Sequence, residues 1–372
     1  MEFIDLKAQY QYLKQTIDKN ILEIIDNAHF IEGEQVTTFE NQLAKYIGRK
    51  HCISCANGTD ALQLAFMACE IGIGDAVFCP AMTFIASIEP ACLLGATPVF
   101  CDIDKNTYNI SSYSLEEEIK KTIQFTKLKP KAVVAVDFLG NPAEYDDIYS
   151  ICKKYNMYLI EDAAQAMGAH VNNKKCGSFG DIACTSFFPS KPLGCYGDGG
   201  AVFTDDDTTN SLLRSLKSHG KGKTKYDNIR LGINSRLDAL QAGILLAKLA
   251  VIDKEFGDRQ EIAQRYDMAL KEYFQIPTIC DGAMSSYAQY CILARNNNQR
   301  QQIINSLSAN GIPSLIYYPT PLHKLKAFSA YNKNCFSNAE WYAECNLGLP
   351  FSPYLKKDDQ NKVIETVLSS LK

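Results

Sequence analysis

The sequence predicts an α/β protein: a large domain built on a mostly parallel sheet, followed by a smaller α+β domain. Two observations carry this reading. Between about residues 50 and 205, short β-rich runs alternate with longer amphipathic ones, the rhythm of strands buried on both faces by helices. After "GINSRLDAL" that rhythm stops, and a long helical stretch leads into shorter mixed elements.

Taken in order, the first fifty residues read as two helices, "LKAQYQYLKQTIDKNILEIIDN" and "VTTFENQLAKYIG", expected to pack against the carboxy-terminal part. "HCISC", "AVFCP", "PVFCD", "AVVAVD", "MYLIED", "ACTSFF" and "GAVFT" read as strands, being short, apolar and rich in β-formers. Between the first two, Leu62, Ala65, Phe66 and Cys69 recur at i, i+3, i+4 and i+7, one buried helix face. From Leu237 to Phe274 the chain reads as a long helical stretch, with the domain boundary near residue 236, so that 1–235 form the large domain and 236–372 the small one. No solenoid repeat and no low-complexity tract interrupts this plan.

Composition narrows the function. The 372 residues are 46% hydrophobic and 22% charged, with a net charge of -4 and no basic run interleaved with aromatics, which argues against a nucleic-acid partner. "MEFIDLKAQY" lacks a basic-then-apolar leader, and the most apolar helical stretch is interrupted by Gln241 and Lys248. The expectation is a cytoplasmic protein with no membrane span. The 14 cysteines lie mostly in apolar runs and read as reduced core thiols. Cys52 and Cys55 form the one C-x-x-C, but no second Cys/His pair answers it, so no metal is expected.

Three stretches are candidates for chemistry. In "ANGTDAL", Asn57-Gly58 signals a turn and Thr59 is expected to cap the helix that follows; its amino terminus either receives a phosphate or is simply a capped helix end. In "MYLIEDAAQAMGA", Asp162 ends a strand with Gln165 three residues later, and either meets a cationic ring nitrogen or caps the next helix. In "SFFPSKPLGCYGDGGA", Ser186 ends a strand and Lys191 follows five residues on, flanked by Phe187, Phe188 and Tyr196. Those rings are expected to bury the amine enough to make it a nucleophile. A phosphate cradle, a strand-end carboxylate and a shielded lysine are together what pyridoxal phosphate requires. Phe84 is otherwise a core residue, Asn234 a turn residue, Arg236 an ion-pair or anion-binding residue and His323 a loop residue. His29, His51, His170 and His219 form no constellation.

These motifs, with "PAMTFIAS", "GATPVFCDID", "GINSRLDALQA" and "YYPTPLH", resemble the DegT/DnrJ/EryC1/StrS sugar aminotransferases over nearly the whole chain. The resemblance implies the aspartate-aminotransferase-like fold (pyridoxal-phosphate fold type I). It implies that Lys191 forms the Schiff base with the cofactor, that Asp162 keeps the pyridine nitrogen protonated, and that Phe84 stacks on the ring. Gln165 would lie against the other face or the phenolic oxygen; Gly58, Thr59 and Ser186 would hold the phosphate. Asn234 would reach the phosphate of the neighbouring subunit, which requires a homodimer with shared sites.

The implied reaction takes an amino group from glutamate to the C3 ketone of a nucleotide-linked sugar. Lysine at position 191 separates the chain from a dehydratase-like branch with histidine there. "SFFPSKPLGCYGDGGA" is similar to the 3-amino-sugar branch, and "GINSRLDALQAGILLAKL" to enzymes acting on UDP-2-acetamido-2-deoxy-3-oxo-glucuronate, in surface polysaccharide or glycan synthesis. Arg236, with Tyr317, Tyr318 and His323, would then meet the sugar carboxylate or diphosphate. Pro192 stands where Asn is expected and Tyr317 where uronate-handling relatives more often have His. A dTDP-3-oxo-6-deoxyhexose is therefore the alternative substrate, and a non-catalytic sensor or scaffold of this fold the alternative class.

Overall fold

Each of the seven β-rich runs forms a strand. They are β1 (His51–Cys55), β2 (Asp75–Pro80), β3 (Thr97–Cys101), β4 (Lys129–Val136), β5 (Tyr158–Asp162), and, after the two-residue strands β6 (His170–Val171) and β7 (Lys174–Lys175), β8 (Ile182–Ser186) and β9 (Gly200–Thr204). The seven longer strands make one sheet in the order β1-β9-β8-β5-β4-β2-β3. β8, β5, β4, β2 and β3 pair in parallel, and β9 runs antiparallel between β8 and β1. The carboxyl ends of β1, β5 and β8 therefore lie along one edge, where open α/β sheets bind ligands. The computed structural model describes residues 1–224, 226–331 and 334–371.

Alternation along β4 shows why helices cover both faces. Ala132 and Val134 pack into a cluster with α3 (Gly58–Ala68), while Val133 and Ala135 face a cluster with α5 (Ser112–Phe125) and α6 (Tyr145–Tyr155). The expected face of α3 is buried, with Leu62, Ala65, Phe66 and Cys69 at most 3% exposed. Withdrawing a ring such as Phe66 from water contributes roughly 1.5–3 kcal/mol. Of the remaining helices before residue 217, α1 (Leu6–Asn27), α2 (Glu34–Ile47), α4 (Glu89–Leu93) and α7 (Asp207–Leu216), the first two pack as expected against carboxy-terminal residues. Leu13 and Ile17 of α1 meet Ile244 and Ala247, and Gln9 Nε2 donates to Glu255 at 2.9 Å.

The stretch from Leu237 to Phe274 is not continuous. It divides into α8 (Ala239–Leu249) and α9 (Ile252–Leu270), because its two halves serve different cores. Ala242, Leu245 and Leu249 pack with Phe39, Phe187 and Phe203 under the sheet, whereas Ile262, Tyr266 and Leu270 belong to a separate cluster. That second cluster holds β11 (Tyr290–Leu293), β12 (Asn346–Leu349), α10 (Asn297–Ala309) and α12 (Lys357–Ser369), whereas Ala339, Tyr342, Ala343 and Cys345 of α11 (Ser337–Cys345) pack into the cluster of α3 and β4. β10 (Ala283–Met284) pairs with β6. All fourteen cysteines are free, and only Cys335 is exposed. Among the described residues no helix is long and apolar enough to cross a membrane.

Candidate active site

A cavity of about 350 Å³ opens at the carboxyl edge of the sheet. All but three of its lining residues fall between Asn57 and Asp198; the three are Gln289, Tyr317 and Tyr318. A larger hollow of about 770 Å³ beside Tyr46, Arg49 and Lys174 contains neither Lys191 nor Asp162.

The turn leaving β1 forms the first wall. Asn57, not Thr59, caps α3: it is the extended residue, and its side chain accepts from Asp60 N at 2.8 Å. Thr59 thus lies inside the first turn, and the N–H groups of Gly58 and Thr59 precede the first intrahelical bond, made by Ala61 N to Asn57 O. Glycine is needed at 58, where a Cβ would stand 2.7 Å from Ser186 Cβ, and at 200, where it would stand 2.4 Å from Asn57 O. The turn is wedged between the ends of β8 and β9, which leaves open backbone amides and the Ser186 side chain around one end of the cavity.

Asp162 forms the floor, only 5% exposed. One carboxylate oxygen accepts from Ser87 Oγ at 2.7 Å and the other from Ala164 N at 3.2 Å. Ser87 in turn shares a 2.9 Å hydrogen bond with Thr83. Burial raises the Asp162 pKa, and the Ser87 and Ala164 donors and the Lys191 charge pull it back. Turns rather than a helix follow Asp162, so it caps nothing. Its cavity-facing carboxylate suits a cationic ring nitrogen.

Lys191 sits in a loop held by Phe187 N to Gly199 O (2.7 Å), Cys195 N to Phe187 O (2.8 Å) and Lys191 N to Phe188 O (2.9 Å). Burial lowers the pKa of its amine, and the Asp162 carboxylate opposes that shift. Only one of the expected three rings shields it in the cavity. Phe188 lines the space, while Phe187 is buried against Phe39 and Tyr196 packs against Tyr10.

Phe84 is not a core residue: it is 53% exposed at the cavity, with its ring centroid 5.7 Å from that of Tyr318. Gln165 accepts from Leu139 N at 2.6 Å and donates to Tyr318 OH at 3.3 Å, tying the strand-end loop to the carboxy-terminal wall. The structure therefore brings Gly58, Thr59, Phe84, Asp162, Gln165, Ser186, Lys191, Tyr317 and Tyr318 together. Asn234 and Arg236 line a neighbouring depression that shares Asp198 with the cavity. His323 stands outside both, its Nε2 3.0 Å from Glu340 and its ring edge-on to Phe336. Sequence reasoning missed Ser87 and Thr83, whose four-residue spacing in "PAMTFIAS" was the available signal, and Gln289, which carried none.

Among the described residues one compact group has metal-type donors: Asp137, Glu161 and Cys176, all buried. Glu161 is occupied by backbone donors, including Phe179 N at 2.7 Å and Gly180 N at 3.3 Å, so its place is structural.

A family model described as the DegT/DnrJ/EryC1/StrS aminotransferase family matches residues 11–368. The chain belongs to this family. The aminotransferase is 44% identical over 356 residues to a Pseudomonas aeruginosa protein named UDP-2-acetamido-2-deoxy-3-oxo-D-glucuronate aminotransferase, covering 95% of this chain and 96% of that one. It is 38% identical to the dTDP-3-amino-3,6-dideoxy-alpha-D-galactopyranose transaminase of Aneurinibacillus thermoaerophilus, covering 98% of both. A crystal structure of a family member from Brucella abortus superposes with a TM-score of 0.97 at 44% identity, covering 99% of each chain. The fold is that of the pyridoxal-phosphate aminotransferases, and the cofactor of the enzyme is pyridoxal 5′-phosphate. The cavity fits that group: a cradle that a Cβ at position 58 would fill, a buried carboxylate on its floor, and a shielded amine.

Proposed function

We propose that the aminotransferase moves an amino group from glutamate to the C3 ketone of UDP-2-acetamido-2-deoxy-3-oxo-glucuronate. The observation that carries the chemistry is the convergence of the Lys191 amine, the Asp162 carboxylate and the open amino terminus of α3 on one cavity. The likeness to the Pseudomonas aeruginosa protein supports the substrate. Pyridoxal phosphate, when bound, supplies an aldehyde for amine exchange and an electron-poor ring that spreads carbanionic charge.

The residues of the chain do the rest. Gly58, Thr59 and Ser186 hold the phosphate, using backbone amides and a hydroxyl. Asp162 holds a proton on the ring nitrogen, and its own position is fixed by Ser87. Phe84 would cover one side of the ring and Gln165, tied to Tyr318, would fix the other. Lys191, with its amine pKa lowered by burial, would carry the proton between the substrate carbon and the neighbouring cofactor carbon. Glutamate leaves as 2-oxoglutarate, and the ketone then leaves as an amine, so both halves balance.

Two copies share each site in this reading, the partner subunit's Asn234 reaching the phosphate, with Arg236, Tyr317 and Tyr318 meeting the anionic sugar. Within one subunit, Asn234 and Arg236 line a depression adjoining the cavity. His323, buried against Glu340, has no part in it. Fourteen free thiols, all but one shielded from full exposure, suit a reducing cytoplasm. The test is a substrate panel with purified enzyme and glutamate. Amination of the UDP-linked 3-oxo-uronate is expected, and amination of only a dTDP-linked 3-oxo-6-deoxyhexose overturns the assignment. The likeness to the Aneurinibacillus protein makes that sugar the second reading.

A further inference from the structure

Two polar side chains at the cofactor end of the cavity are partnered within the protein. Asp162 accepts from Ser87 and Ala164, and Gln165 bonds Leu139 and Tyr318. Gln289 differs. It is 6% exposed, it lines the same cavity, and its side-chain carbonyl oxygen is buried with no hydrogen-bond partner. A buried amide oxygen left unpaired is costly, and native proteins rarely keep one without a use.

The placement of Gln289 narrows that use. It directly precedes β11, and Ala288 beside it is pinned by its N–H to Leu139 O at 3.0 Å. The side chain is thus carried by a fixed backbone rather than a loose loop. Leu139 is also the residue whose N–H bonds Gln165, so Gln289 stands next to the Gln165–Tyr318 tie. It comes from the carboxy-terminal part, along with Tyr317 and Tyr318, and not from the strand ends that carry Lys191 and Asp162.

We infer that Gln289 is a specificity-determining residue whose amide oxygen accepts a hydrogen bond from an O–H or N–H of the acceptor sugar. This role rests on the reading of the enzyme as a nucleotide-sugar aminotransferase. A sugar presents such donors in its hydroxyls and, for a 2-acetamido sugar, its amide N–H. Glutamate at the same site needs the lysine and the cofactor but brings no sugar hydroxyl to satisfy this oxygen.

The two half-reactions separate the roles. Wild-type, Gln289→Met and Gln289→Leu holoenzymes are followed by the cofactor absorbance, first with glutamate alone and then with the UDP-linked 3-oxo-uronate and the dTDP-linked 3-oxo-6-deoxyhexose. The expected result is unchanged cofactor binding and an unchanged glutamate half-reaction, with kcat/KM for the accepted sugar reduced roughly 10- to 100-fold, the effect of one lost buried hydrogen bond. Equal losses in both halves, loss of cofactor binding, or no loss in the sugar half each overturn the role. A wild-type enzyme that takes the amine from glutamate and passes it to neither sugar overturns the functional reading, and this role with it.

Discussion

One wall of the cavity comes from residues 57–198 and the other from Gln289, Tyr317 and Tyr318. The first is built on strand ends and their turns, and its polar groups are held by partners within the same wall: Asn57 by Asp60, Asp162 by Ala164 and Ser87. The second comes from the carboxy-terminal part, Tyr317 and Tyr318 packing against the same apolar cluster as α3 and β4, and is tied to the first by Gln165 and by the bond of Ala288 to Leu139. The first wall has the groups for chemistry common to every amine it handles. The second offers an unpaired acceptor and two phenols, the groups with which a protein tells one substrate from another.

The comparison breaks most readily at Lys191. Lys191→Ala is expected to lower transamination by at least about 10³-fold, through loss of nucleophile and proton carrier together, and to show with pyridoxal phosphate alone only the absorbance of the free aldehyde, not that of the lysine Schiff base. Rates and the absorbance spectrum check it. Next is Gly58→Ala, whose methyl has only 2.7 Å to Ser186 Cβ. Displacing the cradle is expected to weaken cofactor affinity about 10- to 100-fold, read by titration with the phosphate ester, while pyridoxal lacking the phosphate binds unchanged.

A smaller effect comes from Ser87→Ala. The hydrogen bond from Ser87 lowers the Asp162 pKa against the rise caused by burial, so its removal raises that pKa further. A group whose charged form is needed is then lost at a higher pH, and the acid limb of kcat/KM is expected to move upward with the alkaline limb in place. The smallest expected change in activity is that of His323→Gln. Its loss from the pair with Glu340 costs about 1–2 kcal/mol of stability in thermal or urea unfolding. A large fall in sugar amination in this variant would contradict the division between the two walls.

The first wall was largely legible in the sequence because its residues sit at fixed offsets from β-rich runs. Lys191, Asp162, Gly58 and Ser186 each follow or end a strand that alternation reveals. The cap of α3 was misplaced by two residues, since Asn57 and Thr59 are both good capping types and only the extended backbone of Asn57 decides. The break between α8 and α9 left no trace, as neither Ala250 nor Val251 is a helix breaker and the cause is the change of core. Gln289 and the exclusion of His323 depend on how segments more than a hundred residues apart meet, which local pattern does not encode.

The wedge of the Asn57–Gly58 turn between β8 and β9 has a consequence for assembly. Its parts are Gly58, Ser186 and Gly200, and β9 pairs with β8 nearby in sequence but with β1 across a separation that makes the contact slow to form. No fragment ending before residue 200 contains all three, so a chain emerging from the ribosome acquires the phosphate cradle only after its central strands have emerged. Acquisition of the yellow chromophore then times the closing of the sheet, and the cofactor that serves catalysis doubles as a reporter of completed folding.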